Sequence, residues 1–197
     1  MKRFLKTVFN AFFGLVFLPV YFIVEICSTL FGSEDAFLLF SHAVATSPGK
    51  IGEFTRRAYY RLTLKKCGSN LVVGYGSFFT HRDVELDDDV WIGQYTTIGR
   101  TRIGSNVLIS DHVSLLSGRH HHRHREDGKL SSGPDEQAAI SIGDSTWIGA
   151  GSVIMTNVGE QSIVGGGSVV VQGVEPFCIV AGNPATLIRK RSAKDNE

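Results

Sequence analysis

The chain has 197 residues, 43% of them hydrophobic, enough for one domain of ordinary size plus a short appendage. With 20 Lys and Arg against 19 Asp and Glu the formal charge is +1, which excludes the strong basic field that nucleic-acid binding needs. The three cysteines, Cys27, Cys67 and Cys178, are far apart and in no metal or redox spacing. That argues against a disulfide framework or a zinc site and fits a reducing, cytosol-facing protein.

Residues 1–69 read as an apolar and basic helical region. After the basic start (Lys2, Arg3, Lys6), residues 7–24 carry no charge until Glu25. That stretch is at the lower limit for a spanning helix, since a bilayer core takes about 20 apolar residues. Three readings stay open: a helix packed on the protein itself or on a neighbouring copy, a cleaved signal peptide, and membrane attachment. Ala43-Val44-Ala45 lies too far beyond the apolar run to serve as its cleavage site. The Phe-rich stretch has no clear polar face, which favours the membrane. Pro19 inside the run is expected to bend a helix, and a second apolar stretch, 36–44, to return toward the surface, giving a kinked hairpin or a surface-lying helix. Arg56, Arg57, Arg61, Lys65 and Lys66, interleaved with Tyr59, Tyr60 and Leu62, form a basic helix face, suited to anionic headgroups or simply solvated.

From about residue 70 to 182 an aliphatic residue followed by Gly or Asp recurs, mostly every six residues. The run is Val73-Gly74, Leu86-Asp87, Ile92-Gly93, Ile98-Gly99, Ile103-Gly104 and Ile109-Ser110, then Ile142-Gly143, Ile148-Gly149, Ile154 and Val164-Gly165. Six is not a helical period, and glycine in a helix interior costs about 1 kcal/mol relative to Ala, so short strands separated by turns remain. Three hexapeptides close a triangular coil of about 18 residues, aliphatic residues inward and the small residue at the corner. The short step from Ile98 to Ile103 and the long one from Ile154 to Val164 mark bulges or shortened corners. Residues 117–139 lack the repeat and hold His120, His121, His122 and His124, so they read as a loop thrown out of the wall. Asp87, Asp88 and Asp89 read as a turn.

This ladder, the histidine-bearing loop, Trp147-Ile148-Gly149-Ala150, Val164-Gly165-Gly166-Gly167-Ser168 and Ala181-Gly182-Asn183-Pro184-Ala185 succeed one another in an order that resembles the hexapeptide-repeat O-acetyltransferases, within them the galactoside, maltose and colanic-acid type. The resemblance covers about residues 70–190. It implies an all-β, left-handed parallel β-helix with an N-terminal helical, membrane-associating extension, and a homotrimer with active sites between subunits. Acetyl-CoA is the implied co-substrate, with no metal. By position, the family's general base falls on His120, with His121 as runner-up, and its main-chain oxyanion donor on Ala150. The pantetheine arm falls on Gly149, Ala150, Gly166, Gly167 and Ser168, and the nucleotide phosphates on Arg189, Lys190 and Arg191 in a basic tail (residues 183–197). Imidazole fits this chemistry because a sugar hydroxyl must lose its proton as it attacks a thioester.

The expected activity is O-acetyl transfer to a sugar hydroxyl of a glycan or lipid-linked saccharide in surface polysaccharide assembly. N-acetyl transfer to an amino sugar and a non-catalytic scaffold of a membrane glycan complex are the alternatives. The expected place is the cytoplasmic side of the membrane, or the cytoplasm if the N-terminal helix packs on the protein. With the basic start held inside, a single span would put catalysis on the side away from acetyl-CoA.

Overall fold

The computed structural model describes residues 2–31, 34–117, 127, 129 and 139–192, with residues 2–6 described by their backbone alone. Among the described residues, three helices, α1 (Lys2–Phe31), α2 (Asp35–Ala45) and α3 (Gly49–Thr63), precede sixteen short strands. Fifteen of them wind into three flat faces. One face holds β1 (Lys66–Cys67), β4 (Glu85–Leu86), β7 (Thr101–Ile103) and β10 (Ile140–Ile142). The second holds β2 (Val72–Val73), β5 (Trp91–Ile92), β8 (Leu108–Ile109), β11 (Trp147–Ile148), β13 (Ile163–Val164) and β15 (Cys178–Gly182). The third holds β3 (Phe78–Phe79), β6 (Thr97–Ile98), β9 (Ser114–Leu115), β12 (Val153–Ile154) and β14 (Val169–Val170). All pairing within the faces is parallel, each strand lying beside its counterpart one coil on. This is a parallel β-helix. β16 (Ala185–Lys190) then folds back antiparallel on β15, so much of the expected tail is a strand on the second face.

Inward apolar residues stack coil upon coil: Val73, Ile92, Ile109, Ile148 and Val164 on the second face, and Phe79, Ile98, Leu115, Ile154 and Val170 on the third. Each is at most 1% exposed, and such burial stabilises by about 1.5–3 kcal/mol per side chain. Coils are not uniform: successive partners on the second face are 19 residues apart (Val72, Trp91), then 17 (Trp91, Leu108) and 16 (Trp147, Ile163). Both irregular steps are shortened corners. Ile98 and Ile103 sit on adjacent faces, and Val158, bridged to Ile142 and Val174, fills the place missing between Ile154 and Val164.

The repeated glycines act differently from expectation. Most left-handed corner positions are held by non-glycine residues, among them Asn70, Asp89, Tyr95, Asn106, His112 and Ser145. The glycine after the aliphatic residue lies instead where the next coil comes close. A Cβ on Gly74 would stand 2.3 Å from Gly93 O. Asp89 is indeed a corner residue, and Asn70 Nδ2 donates to it across coils at 2.9 Å.

Because each coil donates its N–H groups to the next (Val72 N to Val90 O, Gly74 N to Ile92 O), the first coil's own carbonyls point at the helices. They are capped there. Arg56 Nε donates to Val73 O at 2.8 Å, Arg57 Nε to Leu71 O, and Ser41 Oγ to Phe79 O at 2.9 Å. The expected basic face is therefore split: Arg56 and Arg57 are only 2% exposed and Tyr59 and Tyr60 are buried, while Arg61, Lys65 and Lys66 remain exposed. Lys65 pairs with Glu85 at 2.6 Å and Lys66 with Asp87. Arg82, between β3 and β4, joins the layers by reaching Glu25 and Ser28 of α1 and Thr63 O of α3. The helix α1 continues through Pro19 without a break.

Candidate functional site

On the second face the residue just before each inward isoleucine points outward. In β5, β8 and β11 these are Trp91, Leu108 and Trp147, in direct cross-strand register. Polar residues are expected on a solvated sheet face, yet these three are 43%, 43% and 49% exposed. Apolar residues aligned in this way mark a surface that receives something. They line a groove of about 510 Å³ with Ser110, Asp111 and Ala150, and Trp147 Nε1 donates to Ser110 Oγ at 3.1 Å. A second hollow of about 790 Å³ shares Trp91 and Asp111 and runs on to the start of α3, past Glu53, Arg56 and Tyr75.

Ala150 sits on the corner after β11. A side chain from the next coil satisfies such an amide at one earlier corner of this face, Gln94, and at a corner that follows the first face, Ser105. Asp111 Oδ1 accepts from Gln94 N at 2.6 Å, and Asp144 Oδ1 from Ser105 N at 2.7 Å. The residue that follows Ala150 one coil on is Gly166, which has no side chain to offer. Among the described residues nothing accepts from the Ala150 N–H, which is left at the exposed rim of the groove.

The expected cofactor residues divide into two groups. Ala150, Gly166 and Gly167 form one exposed edge, held by a 2.8 Å bond from Gly167 N to Ala150 O. Gly167 has φ +69° and nothing within 4 Å of a would-be Cβ, so the backbone there is open to close approach. Gly149, by contrast, is buried, and its Cβ would meet Gly166 N at 2.5 Å; coil packing requires that glycine. Ser168 is also turned inward, its hydroxyl donating to Gly165 O and accepting from Gly182 N at 3.2 Å. Its side chain is committed to the coil.

Arg189 and Lys190 lie in β16. Arg189 is the register partner of Ile179, which continues the outward row Trp91, Leu108, Trp147, Ile163, Ile179. With strands about 4.8 Å apart, Trp147 and Arg189 end a row about 14 Å long. Arg191 instead donates to Gln161 O at 2.9 Å and helps close the last coil. The loop that interrupts the wall opens after β9 and closes at β10, so Ser114 and Val153 pair although they are 39 residues apart. His120 lies outside the described residues, as do His121, His122 and His124. Among the described residues, no three His, Cys, Asp or Glu are grouped to hold a metal ion. Trp91, Leu108 and Asp111 were not singled out from sequence; the signal available was an apolar residue at an outward repeat position.

No family model matches the chain. Over 89 residues it is 36% identical to the galactoside O-acetyltransferase of Escherichia coli K12, a match that covers 44% of this chain and 36% of that protein's length. Among solved structures, a maltose O-acetyltransferase from Clostridium difficile 630 superposes with a TM-score of 0.65 at 18% identity, over 79% of this chain and 85% of the other. A galactoside acetyltransferase in complex with coenzyme A gives 0.64 at 24%, over 81% and 82%. The fold is thus the left-handed β-helix of hexapeptide-repeat proteins. Within that class the chain is similar in sequence to a galactoside O-acetyltransferase and in fold to maltose and galactoside acetyltransferases, and it spans about a third of the length of the curated relative it matches.

Proposed function

We propose that this protein is an acetyl-CoA-dependent O-acetyltransferase that acts on a sugar hydroxyl of a glycan or lipid-linked saccharide during surface polysaccharide assembly. It works as a homotrimer at the cytoplasmic side of the membrane. The observation that carries the reading is the open Ala150 N–H at the rim of the Trp91, Leu108, Trp147 groove, on the edge where Gly166 and Gly167 leave the backbone bare. Acetyl-CoA supplies an activated acyl group. The Ala150 N–H meets the negative charge that gathers on the thioester oxygen, and as a main-chain donor it needs no reorganisation. His120 takes the proton of the attacking hydroxyl and returns it to the departing thiolate. Gly166 and Gly167 give the pantetheine arm a path along the edge, and Arg189 at the end of the outward row, with Lys190 next to it in the strand, would receive the nucleotide phosphates. Indole rings at Trp91 and Trp147 give a sugar ring an apolar wall.

The test is acetyl transfer by the purified full chain from radiolabelled acetyl-CoA to a panel of glycans and lipid-linked saccharides, alongside His120→Ala. Transfer by the parent and its loss in the variant is the expected result. No transfer to any acceptor, with no acetyl-CoA binding, assigns the chain to scaffolding instead; transfer only to amino sugars makes it an N-acetyltransferase.

A further inference from the structure

The helix α1 has two opposite faces. At 100° per residue, Asn10, Phe13, Phe17, Tyr21, Val24 and Ser28 share one side, and Val8, Phe12, Leu15, Phe22, Ile26 and Leu30 the other. The first side is docked along its length. Asn10 Oδ1 accepts from Arg57, Phe13 stacks on Phe54 with ring centroids 5.9 Å apart, and Phe17 meets Tyr59 edge-on at 6.3 Å. Val24 is fully buried, and Glu25 and Ser28 accept from Arg82. The second side is bare: those six apolar residues are 46% to 70% exposed, with no charge among them.

We infer that α1 is an in-plane, monotopic membrane anchor, with its Val8 to Leu30 face sunk into one leaflet and the β-helix held on the same side as both helix ends. The inference rests on the membrane attachment proposed above and specifies its geometry. Residues 10 to 28 of α1 cover about 27 Å of axis, nearly the roughly 30 Å of a bilayer core. Were α1 to stand along the membrane normal, whatever grips it from Asn10 to Ser28 would enter the hydrocarbon too. That includes Arg57 with its Glu53 partner, the first coil that Arg57 caps, and Arg82 with Glu25. Ionised groups at that depth are too costly to place there. Lying flat, the helix buries only its bare face and keeps those pairs above the headgroups. The sequence at the start of the helix, with Lys2, Arg3 and Lys6, is basic, a composition that suits anionic lipid. Charge and length together favour a leaflet over a second protein as the occupant.

The full chain is mixed with phosphatidylcholine–phosphatidylglycerol vesicles and scored by flotation. Depth is then read by brominated-lipid quenching of tryptophans placed singly at Phe12, Leu15, Phe22 and Ile26, against the parent signal from Trp91 and Trp147. Expected is flotation, similar quenching at all four positions by lipid brominated near the headgroup, weaker quenching by lipid brominated deep in the chain, and none above parent for Phe13→Trp. A Phe12→Asp, Phe22→Asp double variant loses about a hundred-fold in vesicle affinity, as expected for two unburied phenylalanines, and keeps the parent's circular dichroism. Flotation with quenching deepest at mid-helix, on both faces alike, overturns the flat geometry while leaving membrane attachment standing. No flotation overturns both. An oligomer that breaks up in the double variant, with no lipid quenching in the parent series, assigns the face to another copy of the chain and overturns the inference.

Discussion

Replacing Arg56 by Met tests whether the helical layer is the cap that the first coil requires. The side chain makes two good bonds to main-chain carbonyls, 2.8 Å to Val73 O and 2.6 Å to Ser47 O, and two long ones to Ala45 O and Val44 O at 3.4 and 3.5 Å. Met keeps most of the stem and supplies no donor. Each buried carbonyl left without a partner costs about 1–3 kcal/mol, so the two good bonds set a loss of about 2–6 kcal/mol. Part of this is returned, because burial already disfavours the charged guanidinium and holds the Arg56 pKa below its ordinary value. A net loss of about 2–4 kcal/mol follows. With a urea slope of about 1–3 kcal/mol per molar, the unfolding midpoint should fall by about 1–2 M at fixed protein concentration. Hydrogen exchange should quicken first in the coil that holds Leu71 and Val73. Arg61→Met, made on an exposed side chain of the same helix, is the control and should stay within about 0.5 kcal/mol of the parent. Coincident midpoints for Arg56→Met and Arg61→Met would show that the first coil's carbonyls need no guanidinium cap, and the account of the N-terminal layer would fall with it.

Gly149→Ala should destabilise by at least the about 1–3 kcal/mol of ordinary overpacking, because its Cβ meets backbone of the next coil, read as a lowered melting temperature. Gly166→Ala, whose Cβ only grazes Ala150 O at 3.2 Å, should fold normally and raise the KM for acetyl-CoA. His120→Ala should lower kcat by about 10²–10⁴-fold with the KM for acetyl-CoA unchanged. Arg189→Ala should weaken acetyl-CoA binding by about 10- to 100-fold in titration calorimetry, the worth of a charged hydrogen bond, with a smaller salt dependence than the parent. Burial pushes the Cys67 thiol up to about 11, and Arg61 and Arg57 oppose this only in part. Its alkylation at pH 8 should therefore be far slower in the native protein than in urea, and its native rate should climb about tenfold per pH unit toward pH 11. With the folded value raised, the thiol's contribution to stability is complete below its unfolded value of about 8.5 and is lost as pH rises toward 11.

The ladder was legible because an inward aliphatic residue every six positions has no other stable arrangement, and Ile92, Ile109 and Ile148 stack as the pattern requires. Coil lengths of 19, 17 and 16 residues were not legible as such. Corners can gain or lose a residue without disturbing the inward positions. The cap was misread altogether. Two adjacent arginines on an amphipathic helix look like a solvated or headgroup-facing patch, and nothing in residues 49–63 reveals that they face a row of unpaired carbonyls. That need exists only once the first coil has closed. Tyr59 and Tyr60 were misread with them, as interfacial aromatics when they are core; Tyr59 donates to Phe37 O at 2.7 Å.

The candidate site divides along the same line. Ala150, Gly166 and Gly167 stand together on one exposed edge, and the succession of motifs points to them because it marks a position whatever its side chain does. Gly149 and Ser168 came with them, since a sequence does not distinguish a glycine left bare for a ligand from one left bare for the neighbouring coil. What distinguishes them is the residue one coil further on. Ser69 N is met by Asp88 Oδ1 at 2.7 Å, and Gln94 and Ser105 are met by Asp111 and Asp144. Ala150 is followed by Gly166 at the 16-residue step that Trp147 and Ile163 define, and its amide stays open. Aspartate at that place would close the amide as it does for Gln94. Gly166→Asp should therefore abolish acetyl transfer more completely than Gly166→Ala while leaving the coil intact. Equal activity in the two variants would remove the Ala150 N–H from the chemistry.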